Sequence, residues 1–257
     1  MTLKINKLSA RISSMISLQD IDMKVDSGSV SIVIGPNGSG KTSLMRAVCG
    51  DLQVESGSVE FNNRQMPQWG AKERATMLAI LPQNSSLEFP FTVQEVVAMG
   101  RTPHATSHGE NQRIARKALE LVDCEKLEKR SFVSLSGGEK QRVQLARVAA
   151  QIWNPVPTGN RCLILDEPTA SLDLAHQEMV ALMLRFFADQ GVAVLAVLHD
   201  LNLAAKCADQ IAVLKQGRCI VQGAPEQVLR EKVLEDVFST SVSVIGNPRT
   251  GKPMIVT

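Results

Sequence analysis

Eight consecutive residues, Gly35-Pro36-Asn37-Gly38-Ser39-Gly40-Lys41-Thr42, have the types and spacing to hold a phosphate chain. Glycines let the backbone fold tightly round an anion, so that several N–H groups and a helix N-terminus point at it. Lys41 can set its ammonium against β- and γ-phosphates, and the Thr42 hydroxyl can reach a Mg²⁺ ion. The apolar run Val30 to Ile34 precedes the loop, and a helical stretch from Ser43 to Cys49 follows it. The bland alternative is a Gly-rich turn beside an unremarkable lysine. The strand, loop and helix order favours a phosphate-binding P-loop and implies a nucleoside triphosphate ligand.

A second acidic site lies far downstream. Cys162-Leu163-Ile164-Leu165 is a continuous apolar run, as a central parallel strand requires, and it ends on Asp166-Glu167. Strand ends of this kind deliver side chains to the ligand-binding edge of an open α/β sheet. Asp166 suits Mg²⁺, usually through water. Glu167 can accept the proton of a water attacking a γ-phosphate. Alone, the two acids would read as a pair capping the next helix; with a P-loop upstream, the catalytic reading is preferred.

The elements that must position these groups follow from hydrophobic patterning. Leu3 to Leu8, Ile21 to Val25, Ser29 to Ile34 and Ser58 to Phe61 read as strands, predicting an antiparallel layer beside the nucleotide sheet. Thr92-Val93-Gln94-Glu95 is a capping box opening a helix through Met99, and Asn111 to Val122 is amphipathic. Ser136-Gly137-Gly138-Glu139 is a second capping box, with a helix to about Ile152. Residues 84–152 are therefore expected to form a helical insertion, and 1–83 with 153–257 an α/β core. Asp173 is placed to cap a helix running to Gln190, Val192 to Leu198 is a buried strand ending at His199, and Leu201 to Cys207 is helical. Gln210 to Leu214 is a strand before a Gly217 turn, Pro225 opens a helix, and a polar loop at Asn247 to Lys252 parts two short strands.

Composition narrows the classes further. The 257 residues are 44% hydrophobic and 21% charged, an ordinary globular balance, and the net charge of +2 offers no broad basic field for nucleic acid. The five cysteines form no CxxC pair and mostly sit in apolar stretches, as reduced core residues of a cytosolic protein do. Met1-Thr2-Leu3-Lys4-Ile5 lacks the apolar core of a signal peptide. No apolar run nears the ~18 residues of a membrane span, so a membrane role is expected to come through a partner.

Leu135-Ser136-Gly137-Gly138-Glu139-Lys140-Gln141-Arg142 resembles the signature motif of ATP-binding-cassette (ABC) ATPases. With it come the P-loop, Gln83 in a Q-loop position, Leu163 to Pro168 as Walker B, Ser171-Leu172-Asp173 as D-loop, and His199 as switch histidine. These motifs keep the family's order across residues 35–199. The resemblance implies a P-loop NTPase fold with a RecA-like parallel core, an antiparallel β subdomain and an inserted α-helical subdomain. It implies ATP and Mg²⁺ as ligands, with Gly35, Pro36, Asn37, Gly38, Ser39, Gly40, Lys41, Thr42 and Ser43 round the phosphates. Thr42, Gln83 and Asp166 would meet the metal, and Glu167, His199, Gln83 and Lys41 would serve hydrolysis. Ser136, Gly137, Gly138 and Asp173 would meet nucleotide held on the P-loop of a second copy, in a head-to-tail homodimer.

Physical chemistry supports these assignments. Ser136 starts a helix, so its hydroxyl, the Gly138 N–H and the helix dipole make an anion site. Gln83 offers an acceptor and donors without charge, fitting a side chain that touches metal and water and then withdraws. His199 can hydrogen-bond a γ-phosphate; its bland alternative is a strand-end core histidine. Many family members stack an aromatic residue, often Tyr, on adenine from the first loop. This chain has no Tyr, and the region reads Ser9-Ala10-Arg11-Ile12, leaving Arg11 to lay its guanidinium on the ring, or no stacking partner at all.

Leu87 to Val93 and Met99-Gly100-Arg101-Thr102-Pro103-His104 are similar to the ATPases of importers for iron chelates, haem and cobalamin. Ala149 to Trp153, the loop Asn154 to Arg161, Asp173-Leu174-Ala175-His176-Gln177, the Gly223 to Val228 turn and the Asn247 to Thr257 tail resemble the haem importers in particular. The expected partners are a second copy, two membrane permease subunits and, through the complex, a periplasmic substrate-binding protein, with the chain peripheral on the cytoplasmic face of the inner membrane. Phe89, Phe91 and Met99 are candidates to line a groove for a permease helix, though such residues are as often packing core. His104 and His108, four apart, tempt a metal or haem reading; a pair without a third ligand favours a solvated or structural role. Ferric siderophore or cobalamin import, a soluble ABC ATPase acting on DNA or ribosomes, and a nucleotide-gated scaffold without turnover are the alternatives. The last is disfavoured by Glu167.

Overall fold

Every residue of β3 (Val30–Ile34) is buried, because strands flank it on both edges and helices cover both its faces. The computed structural model describes residues 2–12, 15–83, 87, 89–157 and 159–256. Met1, the expected start of the helical segment at Asn84, and Glu88, Thr158 and Thr257 of the resemblance stretches lie outside the described residues. In chain order the strands are β1 (Leu3–Ile12), β2 (Met15–Val25), β3, β4 (Val54–Phe61), β5 (Arg64–Gln65), β6 (Leu78–Leu81), β7 (Cys162–Asp166) and β8 (Ala193–Val197). β9 (Gln210–Lys215), β10 (Arg218–Gly223), β11 (Ser243–Gly246) and β12 (Pro253–Val256) complete them. The helices are α1 (Lys41–Cys49), α2 (Ala71–Ala75), α3 (Val93–Met99), α4 (His108–Leu121), α5 (Gly137–Gln151), α6 (Leu174–Asp189), α7 (Leu201–Cys207), α8 (Pro225–Val228) and α9 (Glu231–Phe238).

The central sheet runs β10-β9-β3-β8-β7-β6, parallel except for the β9–β10 hairpin. A second sheet, β2-β1-β4-β5, is antiparallel and is the layer that the flanking strands predicted. Each face of the central sheet has its own core. On one, Ile32, Leu163, Leu165 and Val194 meet α3 to α7; on the other, Val33, Ile164 and Leu195 meet α1 and the antiparallel layer through Leu44, Leu8 and Phe61. Alternation along a doubly covered strand sends successive side chains to opposite cores, so the run reads as continuously apolar.

The chain between β6 and β7 is helical among the described residues, with α3, α4 and α5 packed on one another. Thr92 and Ser136 close capping boxes with Glu95 and Glu139, as their spacing predicts. Gly100 is required by close approach: a Cβ there would lie 2.2 Å from Arg147 O. No helix among the described residues is long and apolar enough to cross a membrane.

Several bounds differ from expectation. β1 and β2 run on to Ile12 and back to Met15, beyond the predicted Leu8 and Ile21, because strand pairing continues where Ser9, Arg11 and Ser17 interleave with the buried Leu8, Ala10 and Leu18. β4 starts at Val54 instead of Ser58 for the same reason. α1 starts at Lys41, two residues before the predicted Ser43, since Gly40 in the left-handed region turns the loop directly into the helix. α4 starts at His108 because Ser107 accepts the Glu110 N–H and caps it three residues earlier than Asn111. β5, α2, β6, β10 and α9 were outside the expected set; β10 is a half-exposed hairpin strand and α9 is a two-turn helix whose amphipathic face is short.

Candidate functional site

The C-terminal edges of β3, β7 and β8 gather the candidate residues. After β3 the chain must pass close under β9: a Cβ on Gly35 would sit 2.2 Å from Leu214 O, so only glycine fits. Gly40, at φ 105°, then lets the loop enter α1, and its own absent Cβ would approach Ser17 O to 2.9 Å. The β9–β10 turn clasps the loop, with the Gly217 N–H donating to Ser39 O at 2.9 Å. The result is a concave backbone leading into the first turn of a helix, the geometry that takes an anion. Ser39 Oγ is buried there without a hydrogen-bond partner in the structure.

Lys41 is 5% exposed, and its Nζ donates to Gly35 O at 2.9 Å and Pro36 O at 3.0 Å. Burial holds its ammonium below the ordinary lysine range, while Glu167 and Asp166 act in the opposite direction. Asp166, 3% exposed at the end of β7, lies beside α1 with the Thr42 hydroxyl near its carboxylate, and its Oδ1 has no hydrogen-bond partner. A hydroxyl and a carboxylate with an orphaned, buried oxygen form a hard-donor pair that fits a divalent cation of the Mg²⁺ class. Among the described residues no group of three or more His, Cys, Asp and Glu side chains is arranged to hold a metal. A cation at Asp166 would therefore depend on nucleotide and water for its remaining ligands.

Burial pushes the Asp166 carboxyl above its ordinary range, with Glu167 adding to the rise and Thr42, Lys41 and His199 opposing it. A carboxyl whose folded pKa is raised costs stability once ionised. That cost is full above the folded pKa and vanishes below the unfolded value of about 4. Asp166→Asn is therefore expected to raise the thermal midpoint at pH 8, by about 2–4 °C for each kcal/mol relieved, while abolishing hydrolysis. Melts of both proteins at pH 8 and near pH 4 check this: the gain should fade at the lower pH, and a lower midpoint for the variant at pH 8 would refute it.

Glu167 follows directly, at φ 53°, a left-handed conformation uncommon outside glycine and frequent at functional sites. Two residues distant in sequence hold its carboxylate. His199 Nε2 is 2.6 Å from Oε1, and Gln83 Nε2 donates to Oε2 at 2.9 Å. Each oxygen keeps a further lone pair, so the carboxylate remains able to accept a proton from water. Gln83, Glu167 and His199, together with Lys41, Thr42 and Asp166, thus form one cluster at one sheet edge, as their motif positions predict.

Ser136, Gly137 and Gly138 lie elsewhere, at the exposed N-terminus of α5. Their neighbour is the turn before α6: a Cβ on Gly138 would lie 3.0 Å from Ser171 O. Ser171 takes φ 63°, and Asp173 caps α6, accepting the His176 N–H at 2.9 Å; that bond holds its carboxyl below the usual range. One contact was not singled out in the sequence. Gln141 Nε2 donates to Pro168 O at 3.2 Å, tying the second turn of α5 to the chain just beyond Glu167. The Ser-Gly-Gly-Glu box marks where α5 begins, yet only the fold brings its next turn to Pro168.

Arg11 is exposed and its Nε pairs with Glu55 at 3.0 Å. His104 Nε2 donates to Gln151 O at 2.6 Å, a packing role, and burial with Arg101 nearby lowers its pKa. Phe89 and Phe91 form a tilted pair with ring centroids 6.2 Å apart; Phe89 is 69% exposed. All five cysteines are free thiols, four of them buried, as expected of core residues.

Comparison with known proteins agrees with this geometry. The ABC transporter family profile matches residues 18–170. The chain is 46% identical over 256 residues to the hemin import ATP-binding protein HmuV of Gloeobacter violaceus, covering 99% of this chain and 93% of that protein. It is 42% identical over 254 residues to HmuV of Pseudomonas aeruginosa, covering 99% of each. Among solved structures, a metal-chelate type ABC transporter in an inward-facing conformation superposes with a TM-score of 0.80 at 25% identity, over 99% of this chain and 96% of that one. With a phosphate cradle, a strand-end acid pair and full-length relatives of this kind, the chain belongs to the ABC transporter family.

Proposed function

We propose that this chain is the ATP-hydrolysing subunit of a bacterial importer of haem. The observation that carries the enzymatic reading is Glu167, held from both sides by Gln83 and His199 next to the phosphate cradle. The cradle from Gly35 to Ser43 binds the triphosphate of ATP, with Lys41 against the β- and γ-phosphates. Thr42 and Asp166, with Gln83, would hold Mg²⁺, which would supply charge neutralisation at the phosphates. Glu167 takes the proton of the attacking water as its oxygen bonds to the γ-phosphorus; the bond from that phosphorus to the bridging oxygen breaks, giving ADP and phosphate. His199, whose Nε2 reaches Glu167 in the structure, would donate to the γ-phosphate once nucleotide is bound. Arg11 is the candidate at the adenine ring, in competition with its ion pair to Glu55.

Ser136, Gly137 and Gly138 face outward, so they meet nucleotide on the P-loop of a second copy in a head-to-tail homodimer, with Asp173 beside them. Residues 84–152 form the helical subdomain, and 1–83 with 153–257 the nucleotide-binding core. Two permease subunits receive the closing and opening motion, with Phe89, Phe91 and Met99 at their contact, and a periplasmic binding protein delivers substrate through the complex. The protein then sits peripherally on the cytoplasmic face of the inner membrane. Haem as cargo is supported by the full-length likeness to hemin import proteins, and an iron-chelate cargo by the likeness to a metal-chelate type transporter.

The test is co-purification of the tagged subunit, followed by uptake in proteoliposomes carrying the recovered complex. Two permease chains and ATP-dependent haem uptake are expected. Uptake of ferric siderophore or cobalamin without haem would overturn the cargo; recovery on ribosomes or DNA without a membrane partner would overturn the transport role.

A further inference from the structure

Resting on the reading of His199 above, we propose that Asn202 is a positioning residue, through which the C-terminal hairpin β11–β12 sets the place of His199. His199 and Asp200 lead straight into α7, and Asp200 caps it by accepting the N–H groups of Asn202 and Leu203 at 2.8 and 2.9 Å. Asn202, in the first turn, faces β12 and satisfies both peptide groups of one residue. Its Nδ2 donates to Ile255 O at 3.0 Å, and its Oδ1 accepts from the Ile255 N–H at 2.7 Å. The amide thus pairs with the outer edge of β12 much as a neighbouring strand would.

A second contact grips the other end of the same helix. Lys252 Nζ donates to Lys206 O at 2.7 Å, in the last turn of α7, where carbonyls lack helical partners and a cation is favoured. Ile255 is 7% exposed and belongs to the same core cluster as Leu203, Ala204 and Ala205. α7 has seven residues, too few to be stable alone, so its position is imposed by what it packs against. The His199 ring, 48% exposed, gains little from packing of its own, and its 2.6 Å contact with Glu167 tolerates little displacement. A hairpin holding both ends of the helix that starts two residues later supplies that precision.

The experiment measures ATP hydrolysis by the complete transporter carrying Asn202→Ala, Lys252→Ala, His199→Ala, or Asn202→Ala with His199→Ala, in single-turnover mode where rates are low. Asn202→Ala is expected to lower kcat by about 3–10-fold with the ATP KM within about 2-fold, since the cradle is untouched. Asn202→Asp, which keeps the acceptor but sets a carboxylate oxygen on the Ile255 carbonyl, should be no better than Ala. In the His199→Ala background, removing Asn202 should cost nothing more. Histidine side-chain NMR of the subunit gives a readout independent of turnover. The His199 resonance should move in Asn202→Ala and Lys252→Ala, while those of His104, His108 and His176 stay. An equal fractional loss in both backgrounds, or an unmoved His199 resonance, overturns the proposal. Parental hydrolysis by His199→Ala alone would instead remove the reading of His199 on which it rests.

Discussion

Glu167→Gln is expected to bind ATP as the parent does, to lose hydrolysis by about 10²–10⁴-fold, and to accumulate as an ATP-bound dimer. The substitution is isosteric, and its neighbours can adapt. Both Glu167 oxygens act as acceptors, from His199 Nε2 and from Gln83 Nε2. An amide in their place presents one donor, which Gln83 can meet by turning its own carbonyl inward. The cradle and Lys41 are not touched, so affinity should hold. What disappears is the basicity: an amide cannot take the proton that attack by water releases. If ATP also bridges two copies, each nucleotide that is not cleaved keeps its interface shut. ATP titration, phosphate release and light scattering check the three parts separately. Parental turnover would show that Glu167 is not the base, and loss of binding would place it in the cradle.

The outcome at Glu167 also shows what spacing along the chain can and cannot reveal. The strand, loop and helix at Gly35 to Lys41 were readable because the chemistry and the elements are contiguous. β3, β7 and β8 were readable because strands covered on both faces are apolar throughout. The caps at Thr92, Ser136 and Asp173 were readable because each answers N–H groups within three residues. Contacts that join distant segments leave no such trace. Gln83 and Glu167 are 84 residues apart, and their motifs name both residues without giving the bond between them; Asn202 and Ile255 are 53 apart, with no period or motif to announce the pair. Nor does β10 carry a strong pattern, since a half-exposed hairpin strand owes its form to the surface it lies on, while α9, amphipathic with Leu234 and Val237 buried, spans only two turns. The motif order therefore predicted which residues would gather, while the fold alone supplied how Glu167 is held.

Lys41→Ala is expected to weaken ATP binding by about 10–100-fold at least, the range that follows from losing one or more charge-assisted hydrogen bonds of about 1.5–3 kcal/mol. The surroundings push the figure up. Asp166 and Glu167 lie close enough to Lys41 to favour its charged form. Without the ammonium these two acids would face a polyanionic ligand with one counter-charge fewer, so repulsion adds to the missing bonds. Lys41→Arg tests shape against charge, because a planar fork must fit where the native side chain is 5% exposed and already reaches Gly35 O and Pro36 O. Arginine should restore only part of the affinity. Stability should move the other way. Burial lowers the Lys41 pKa, so its charge is a cost to the fold at neutral pH that alanine removes, and the nucleotide-free melting midpoint should hold or rise. Calorimetric titration and a nucleotide-free melt separate the two effects: weaker binding by a protein that melts no lower locates the loss in the phosphate contact itself. An unchanged Kd for ATP would mean that the loop from Gly35 to Thr42 holds something other than a triphosphate.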